Sequence, residues 1–254
     1  MGGAFDEWIA ALEARHLANL RVPEVTRALR ALSSAYVERR HRAATHGARS
    51  TVHGALDSAG KRAAFALFYA PLHFIAVTEV IRARGAERDA PKTILDLGCG
   101  TGAAGAAWAL ACPSAPAVAG IDRHPWTIEE AQWTYQQLGV RGRARQGDVA
   151  RMPAPRRGEG VVAAYLLNEL PDAIRIAIEK RLLDTVERGG RVLVIEPISR
   201  GIAPWWDDTA ARFVASGGRA DEWRLPIDLP PLLEKFDRAA GLNHRELTFR
   251  SLFA

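Results

Sequence analysis

Apolar residues recur at helical spacing along the first part of the chain. Phe5, Trp8, Ile9 and Leu12 share one helix face, with Asp6 and Glu7 in the first turn, where the helix dipole favours acids. Pro23 and Glu24 open a second helix, with Val25, Leu29, Leu32 and Tyr36 along one side. A third apolar segment covers Ala63 to Tyr69, and after Pro71 a fourth carries Leu72, Ile75, Val80 and Ile81. Gly85 to Lys92 is a polar linker with turn chemistry. From Thr93 the pattern changes. Short runs rich in branched residues, at Thr93–Leu97, Ala117–Ile121, Arg143–Gln146, Val161–Tyr165 and Arg191–Glu196, alternate with helical stretches. Those stretches end near Cys112, run from Trp126 to Leu138, and run from Ala173 to Glu187 before the stop Arg188-Gly189-Gly190. Such alternation predicts an α/β fold, a Rossmann-like parallel sheet with helices on both faces. Further on, helices are expected from Trp205 to Ala215 and from Pro230 to Ala240, then one strand from His244 to Phe253. The expected organisation is an N-terminal helical extension, 1–70, ahead of an α/β domain, 71–254.

Composition narrows the class. A chain of 254 residues, 48% hydrophobic and 25% charged, fits one large domain or one domain with a smaller appendage. No apolar run is expected to approach the roughly 18–20 residues of a membrane span, and the start Met-Gly-Gly-Ala-Phe lacks the features of a signal peptide. The expectation is a cytoplasmic protein with no membrane partner. Cys99 and Cys112 are too few for a disulfide framework or a four-thiolate site, and the histidines have no metal-ligand spacing, so no metal is expected. Of the 34 basic residues 30 are Arg, and two clusters stand out. Arg39–His53 holds four Arg, three His and no acid; Arg141–Arg157 holds six Arg against the single acid Asp148. These read either as contacts to a phosphate-rich partner, through Arg39–Arg49 and Arg141–Arg157, or as solvated loops.

The chemistry gathers around Thr93-Ile-Leu-Asp-Leu-Gly-Cys-Gly-Thr-Gly102. A strand enters a glycine-dense turn and a small-residue helix follows, a site for a ligand carrying ribose with adenine or phosphate. Gly100-x-Gly102-x-x-Gly105 also satisfies the dinucleotide fingerprint, but there the first glycine should stand right at the strand end, which is Gly98. Ligands in parallel sheets lie at the carboxyl ends of the strands, so residues just past each strand are informative. Asp96 can support the loop and reach an ammonium group. Asp122, 24 residues beyond Gly98, can accept hydrogen bonds from ribose hydroxyls. After Gly147, Asp148 can accept from an adenine amino group while Val149 offers its backbone N–H. Cys99 and Arg123 flank these positions and join the expected cofactor set.

The order Asp96/Gly98/Gly100/Gly102, Asp122, Gly147-Asp148, a strand with Asn168-Glu169-Leu170, then Gly189-Gly190 and a strand resembles the class I S-adenosylmethionine (SAM) methyltransferases over about residues 93–200. The resemblance implies SAM as cofactor, S-adenosylhomocysteine as product, and N-terminal helices forming a cap over the active site. A narrower likeness rests on Leu32-Ser33-Ser34-Ala35-Tyr36 with Arg39-Arg40, Tyr69-Ala70-Pro71 and Tyr165-Leu-Leu-Asn-Glu-Leu-Pro171. That order is similar to bacterial relatives of the mitochondrial small-subunit ribosomal methyltransferase-like proteins. Members of that family commonly carry a cysteine set for a metal or iron–sulfur site; this chain has none.

Methyl transfer from sulfonium is an in-line displacement, so alignment and desolvation matter most, and a base is needed only when the nucleophile begins protonated. Tyr165, Asn168 and Glu169 after the fourth strand are the expected catalytic set, with Glu196 after the fifth. Tyr165 can instead stack on the cofactor or fill the core, Asn168 can cap a helix, and Glu169 can be an acid at a helix start. No Asp/Asn-Pro-Pro-aromatic element follows the fourth strand, so the familiar route to methylating base amino groups has no support. Three functions remain open: methyl transfer to RNA or a ribosomal particle, methyl transfer to a small molecule in an aromatic pocket drawing on Tyr69, Phe74, Trp126, Trp205 and Trp206, and SAM binding without turnover.

Overall fold

The computed structural model describes residues 2–43, 56–152 and 154–254; of residues 35–43 it describes the backbone alone. The described chain divides into two compact units, 1–72 with 224–247, and 73–223 with 248–254.

The first unit is built on helices. Its elements are α1 (Gly3–His16), α2 (Val22–Ala43), α3 (Ala59–Ala64), a π-helical turn at Phe65–Tyr69, and α9 (Pro231–Ala240), numbered in chain order with those below. Phe5, Trp8, Ile9 and Leu12 are buried on α1, and Val25, Leu29 and Leu32 on α2, as the helical spacing requires. The Glu24 carboxylate accepts from the Arg21 N–H at 2.7 Å and ties down the start of α2. Ser33 on α2 shares a 3.0 Å hydrogen bond with the Tyr69 hydroxyl, and the Arg30 guanidinium donates to the Ala239 carbonyl at the end of α9. The stretch Arg39–His53 lies outside the described residues apart from helical backbone as far as Ala43.

The helical run continues without a break into α4 (Ala70–Arg84), because the wider π turn lets Pro71 sit near the start of a new α segment. Ala59–Arg84 is thus 26 residues long, with an apolar window of mean hydropathy 1.7, enough by length and composition to cross a membrane. That corrects the expectation that no apolar run reaches such a length: Tyr69, Pro71 and His73 interrupt the pattern without breaking the helix. The window is 78% buried inside the protein, as for a core helix.

The second unit carries the sheet. Its strands are β1 (Thr93–Leu97), β2 (Ala117–Asp122), β3 (Gly142–Gln146), β4 (Gly160–Ala164), β5 (Arg191–Pro197), β6 (Arg219–Pro226) and β7 (Glu246–Phe253), with α5 (Ala103–Ala111), α6 (Pro125–Gln137), α7 (Asp172–Glu187) and α8 (Trp206–Ala215) between them. The seven-stranded order is β3-β2-β1-β4-β5-β7-β6, with β3, β2, β1, β4 and β5 parallel and β7 antiparallel to β5. Strands covered on both faces read as unbroken apolar runs, and in β5 Val192 to Glu196 are all buried. The chain reverses its winding between β1 and β4, which opens the crevice where ligands bind in such sheets.

One strand escaped the sequence reading. β6 reads Arg-Ala-Asp-Glu-Trp-Arg-Leu-Pro, and at the sheet edge none of its positions is fully buried. Charges protect an edge strand from pairing with other chains, and they also erase its apolar signature. With β6 present, the sheet has the two closing strands of which only the last was expected.

Close packing under β1 explains the composition of α5. Its Ala and Gly residues from 103 to 107 are all buried, so the helix lies near the sheet. On the neighbouring helix, Tyr135 is 1% exposed and fills a slot between Gly102, Gly120 and Gly142. A Cβ on Gly142 would stand 2.4 Å from the Tyr135 ring, and the buried ring has nowhere to retreat. Gly142→Ala should therefore cost about 1–3 kcal/mol in urea unfolding. The same change in a Tyr135→Ala background should cost much less, since the two sites share one space. Equal costs in both backgrounds would show that the slot is not what holds Gly142.

Candidate active site

The turn after β1 takes its shape from left-handed backbone. Gly98, Gly100 and Gly102 have φ of 62°, 51° and 80°, a region that side chains strongly disfavour. Gly98 has a second reason to be glycine: a Cβ there would lie 2.6 Å from Leu166 Cδ1, in the loop after β4. The turn is pinned by Cys99 N–H to the Ile121 carbonyl at 3.1 Å and by Gly102 N–H to the Cys99 carbonyl at 2.7 Å. Burial pushes the Cys99 thiol well up, with Asp96 and Asp122 adding to the rise, so it stays a neutral packing group.

Asp96 sits beneath this turn, 1% exposed. Its Oδ2 accepts from the Gly105 N–H at 2.9 Å, which holds the start of α5 against β1. Its Oδ1 is buried and accepts no hydrogen bond, an unmet need that an ammonium group or a water can satisfy. Burial pushes the carboxyl up to about 7, opposed by the Gly105 bond and helped by the Asp122 charge. A cation at Oδ1 would bring it back down.

Asp122 ends β2 and braces the turn from the other side. Its Oδ2 accepts from Gly100 N–H and its Oδ1 from His124 N–H, each at 2.9 Å. Each carboxylate oxygen has a further lone pair, so ribose hydroxyls can still be accepted. The Asp122 carbonyl takes the Gly147 N–H at 2.8 Å and so links the ends of β2 and β3. Asp148 follows, with Oδ1 accepting from Arg123 at 2.8 Å and Ala150 N–H at 2.9 Å. Both bonds fall on Oδ1, leaving Oδ2 for an adenine amino group. The hydrogen bond from Arg123 holds this carboxyl below the usual range, with Ala150 helping. Arg123 is thus tied to Asp148, and Val149 is buried at the start of the short 3-10 turn that follows.

The other wall of the crevice is the segment after β4. Tyr165 takes a left-handed φ of 57° and donates its N–H to the Ile195 carbonyl at 2.7 Å. Its ring stacks on His73 of α4, with centroids 4.2 Å apart and planes 22° from parallel. Burial pushes the Tyr165 phenol up and the His73 imidazole down to about 3. Neither ring is charged near neutral pH. Glu196, at the end of β5 and fully buried, holds this segment in place. Its Oε1 accepts from Leu167 N–H at 2.7 Å and from Asn168 N–H at 3.4 Å, and its Oε2 accepts from the Asn168 amide. Asn168 is thus spent on Glu196 and caps no helix. Glu169 closes the 3-10 turn Leu167–Glu169, while the acid in the first turn of α7 is Asp172.

Sequence reasoning missed two residues. Tyr135 could have been suspected from Gly102, Gly120 and Gly142 together. His73 had no signal, since one histidine in an apolar helix looks like packing. Of the aromatic residues considered for a pocket, Trp206 is buried with Phe213 and Leu252, and Trp205 lies 4.8 Å from the Arg175 guanidinium in the α7–α8 packing. Trp206 belongs to the core and Trp205 packs against it. Among the described residues no cluster of His, Cys, Asp and Glu could hold a metal.

Burial pushes the Glu196 carboxyl up to about 8, and its three hydrogen bonds only partly oppose this. The folded state therefore holds a proton that the unfolded state has released, between the unfolded value of 4.5 and the folded value of about 8. Wild-type stability should lose up to about 1.4 kcal/mol per pH unit from this group as pH rises through that window. Glu196→Gln does not titrate there. In urea unfolding its stability relative to wild type should climb as pH rises from about 5 to about 8. A difference independent of pH would mean that Glu196 ionises normally.

Known proteins agree with this geometry. Residues 94–190 match the family model described as a methyltransferase domain. No curated protein matches the sequence. A putative O-methyltransferase from Nostoc punctiforme superposes with a TM-score of 0.53 at 16% identity, covering 95% of this chain and 72% of that one. Magnesium protoporphyrin IX methyltransferase from Synechocystis, solved with bound SAM, superposes with a TM-score of 0.50 at 17% identity, covering 93% and 97%. At these identities the likeness speaks for the fold, and the family match speaks for the chemistry. Residues 94–190 of this chain are a methyltransferase domain, one that works with S-adenosylmethionine.

Proposed function

We propose that the domain transfers the methyl group to RNA, with the ribosomal small subunit as the candidate particle. One observation carries this reading: a row of arginines on the edge strand at the adenosine end of the crevice. Arg143 and Arg145 alternate along β3, so they share one side of the strand at a repeat of about 6.6 Å, and Arg141 stands just before it. All three are exposed. Arg141 donates to the Ala115 carbonyl, and among the described residues Arg143 and Arg145 make no ion pair. Arg151, Arg156 and Arg157 continue the exposed basic surface. An outer strand with guanidinium groups that no carboxylate neutralises fits a run of phosphates. The stretch Arg39–Arg49 supplies further cations for such a partner.

Bound SAM supplies a methyl group on a positively charged sulfur. The chain's own residues do the rest. Asp122 and Asp148 accept from the nucleoside, Asp96 takes the ammonium, and the Gly98–Gly102 turn brings backbone close to the ligand. Tyr165 and the Glu196–Asn168 brace shape the acceptor side and keep water from the reacting atoms. The second reading is a small-molecule acceptor, favoured by the partly buried His73–Tyr165 stack at the crevice.

Fluorescence titration with total RNA over about 50 to about 200 mM salt separates the two. The RNA reading predicts affinity that falls steeply with salt. Arg143→Ala with Arg145→Ala should flatten the log–log slope by about 1.4, since each single-strand phosphate left unneutralised takes away about 0.7. Absent or salt-independent binding would sink it in favour of the small-molecule reading.

A further inference from the structure

We infer that the Tyr135 hydroxyl is a positioning group for the cofactor, donating to the Asp96 carboxylate and holding it ready for the ammonium. The inference rests on Asp96 taking that ammonium and not on the acceptor being RNA. Asp96 and Gly120 are partners across β1 and β2, and partners in parallel strands point to the same face. Gly105 marks that face. A Cβ there would lie 2.8 Å from Asp96 Oδ2 and 2.6 Å from Cγ1 of Val118, which shares its side of β2 with Gly120. A Cβ on Gly120 would stand 2.9 Å from the Tyr135 hydroxyl and 2.8 Å from Cys99 Sγ. The phenol oxygen therefore sits in the space that Gly120 leaves open, on the strand next to Asp96, where strands lie about 4.8 Å apart.

The two groups have complementary needs. Tyr135 is 1% exposed, and its hydroxyl is buried without a hydrogen-bond partner. Asp96 Oδ1 is buried without one as well. Burial pushes the Tyr135 phenol well up, with the Cys99 and Asp96 charges adding to the rise, so it keeps its proton and stays a donor. Cys99 serves it poorly, because a thiol sulfur is a weak acceptor, and its own S–H points to the Gly100 carbonyl at 3.9 Å. A carboxylate oxygen accepts twice, so Oδ1 can take the phenol and the ammonium together while Oδ2 keeps Gly105. The bond is made directly or through one water.

Tyr135 then has two tasks from one position. Its ring packs under Gly102, and its hydroxyl favours the ionised form of Asp96, which burial and the Asp122 charge both oppose. The ionisable groups around Asp96 are Asp122 from β2, Cys99 from the turn and Tyr135 from α6; α5 and β4 carry none. Asp122 raises the carboxyl and Cys99 stays neutral, so the phenol and the Gly105 N–H are left to offset the desolvation. A protonated Asp96 must lose its proton before it can pair with an ammonium. A donor to the charged form lowers the pH at which that happens, so without the hydroxyl Asp96 stays protonated to higher pH. Cofactor affinity then suffers below that point and recovers above it.

S-adenosylhomocysteine carries the same ammonium and reads binding without chemistry. Its affinity is measured by calorimetry at about pH 6 and about pH 8.5 for wild type, Tyr135→Phe and Asp96→Asn. Carboxyl-carbon NMR of the ligand-free protein follows the titration of Asp96. Phenylalanine keeps the ring under Gly102 and removes only the hydroxyl. The expected result is an Asp96 that titrates at higher pH in Tyr135→Phe than in wild type. Binding to that variant should be about fivefold to tenfold weaker than wild type at the lower pH and within about twofold at the higher. Asp96→Asn should bind at least about tenfold more weakly at both. An unchanged Asp96 titration, or a Tyr135→Phe deficit that is absent or equal at both pH values, would overturn the inference alone while Asp96→Asn still loses affinity. Full affinity in Asp96→Asn would overturn the ammonium reading and the inference with it.

Discussion

Two turns compete for one space at the centre of this protein. The loop after β1 needs glycine at 98 because Leu166, in the loop after β4, already fills the place of its side chain. That contact joins the two halves of the reaction. On the proposed reading the β1 turn holds the cofactor and the β4 segment faces the acceptor, and the contact ties the two loops together. Below the first turn Tyr135 fills the slot left by Gly102, Gly120 and Gly142; behind the second, Glu196 takes the backbone N–H groups of Leu167 and Asn168. The crevice is preorganised from both sides.

The acids around it differ through their surroundings. Asp96 and Glu196 are buried, and desolvation pushes both toward the neutral form. Asp148 is more exposed, and the Arg123 hydrogen bond keeps it ionised. Asp96 has an unmet hydrogen-bond need at Oδ1 that a cationic ligand answers, so cofactor binding and ionisation of Asp96 should support one another. Glu196 has no such opening, which fits a brace better than a ligand group.

The loop ends of β1, β2 and β3 were legible in the sequence because each part there has a local signature. A strand end followed by three alternating glycines, an acid after β2, and Gly-Asp after β3 all stand at fixed places in the chain. The acceptor half was less legible because its parts meet only in space. Tyr165, Asn168 and Glu196 were within reach as residues just past strands, but their bonds were not; Asn168 turned out to serve Glu196 rather than a helix start. His73 comes from a helix before the first strand and carries no local pattern. β6 stayed hidden because its edge position suits charged residues, and the helix from Ala59 to Arg84 looked interrupted where a π turn absorbs the break. The narrower ribosomal likeness draws partly on Tyr36 and Arg39-Arg40, whose side chains lie outside the described residues.

The most direct test of the central claim is calorimetric titration of the purified protein with SAM, wild type beside Asp122→Ala. The account predicts one site per chain in wild type. It predicts at least about tenfold weaker binding when the brace on Gly100 and His124 is removed, a loss of about 1.4 kcal/mol or more. Absence of SAM binding in wild type, or unchanged affinity in a folded Asp122→Ala variant, would contradict it.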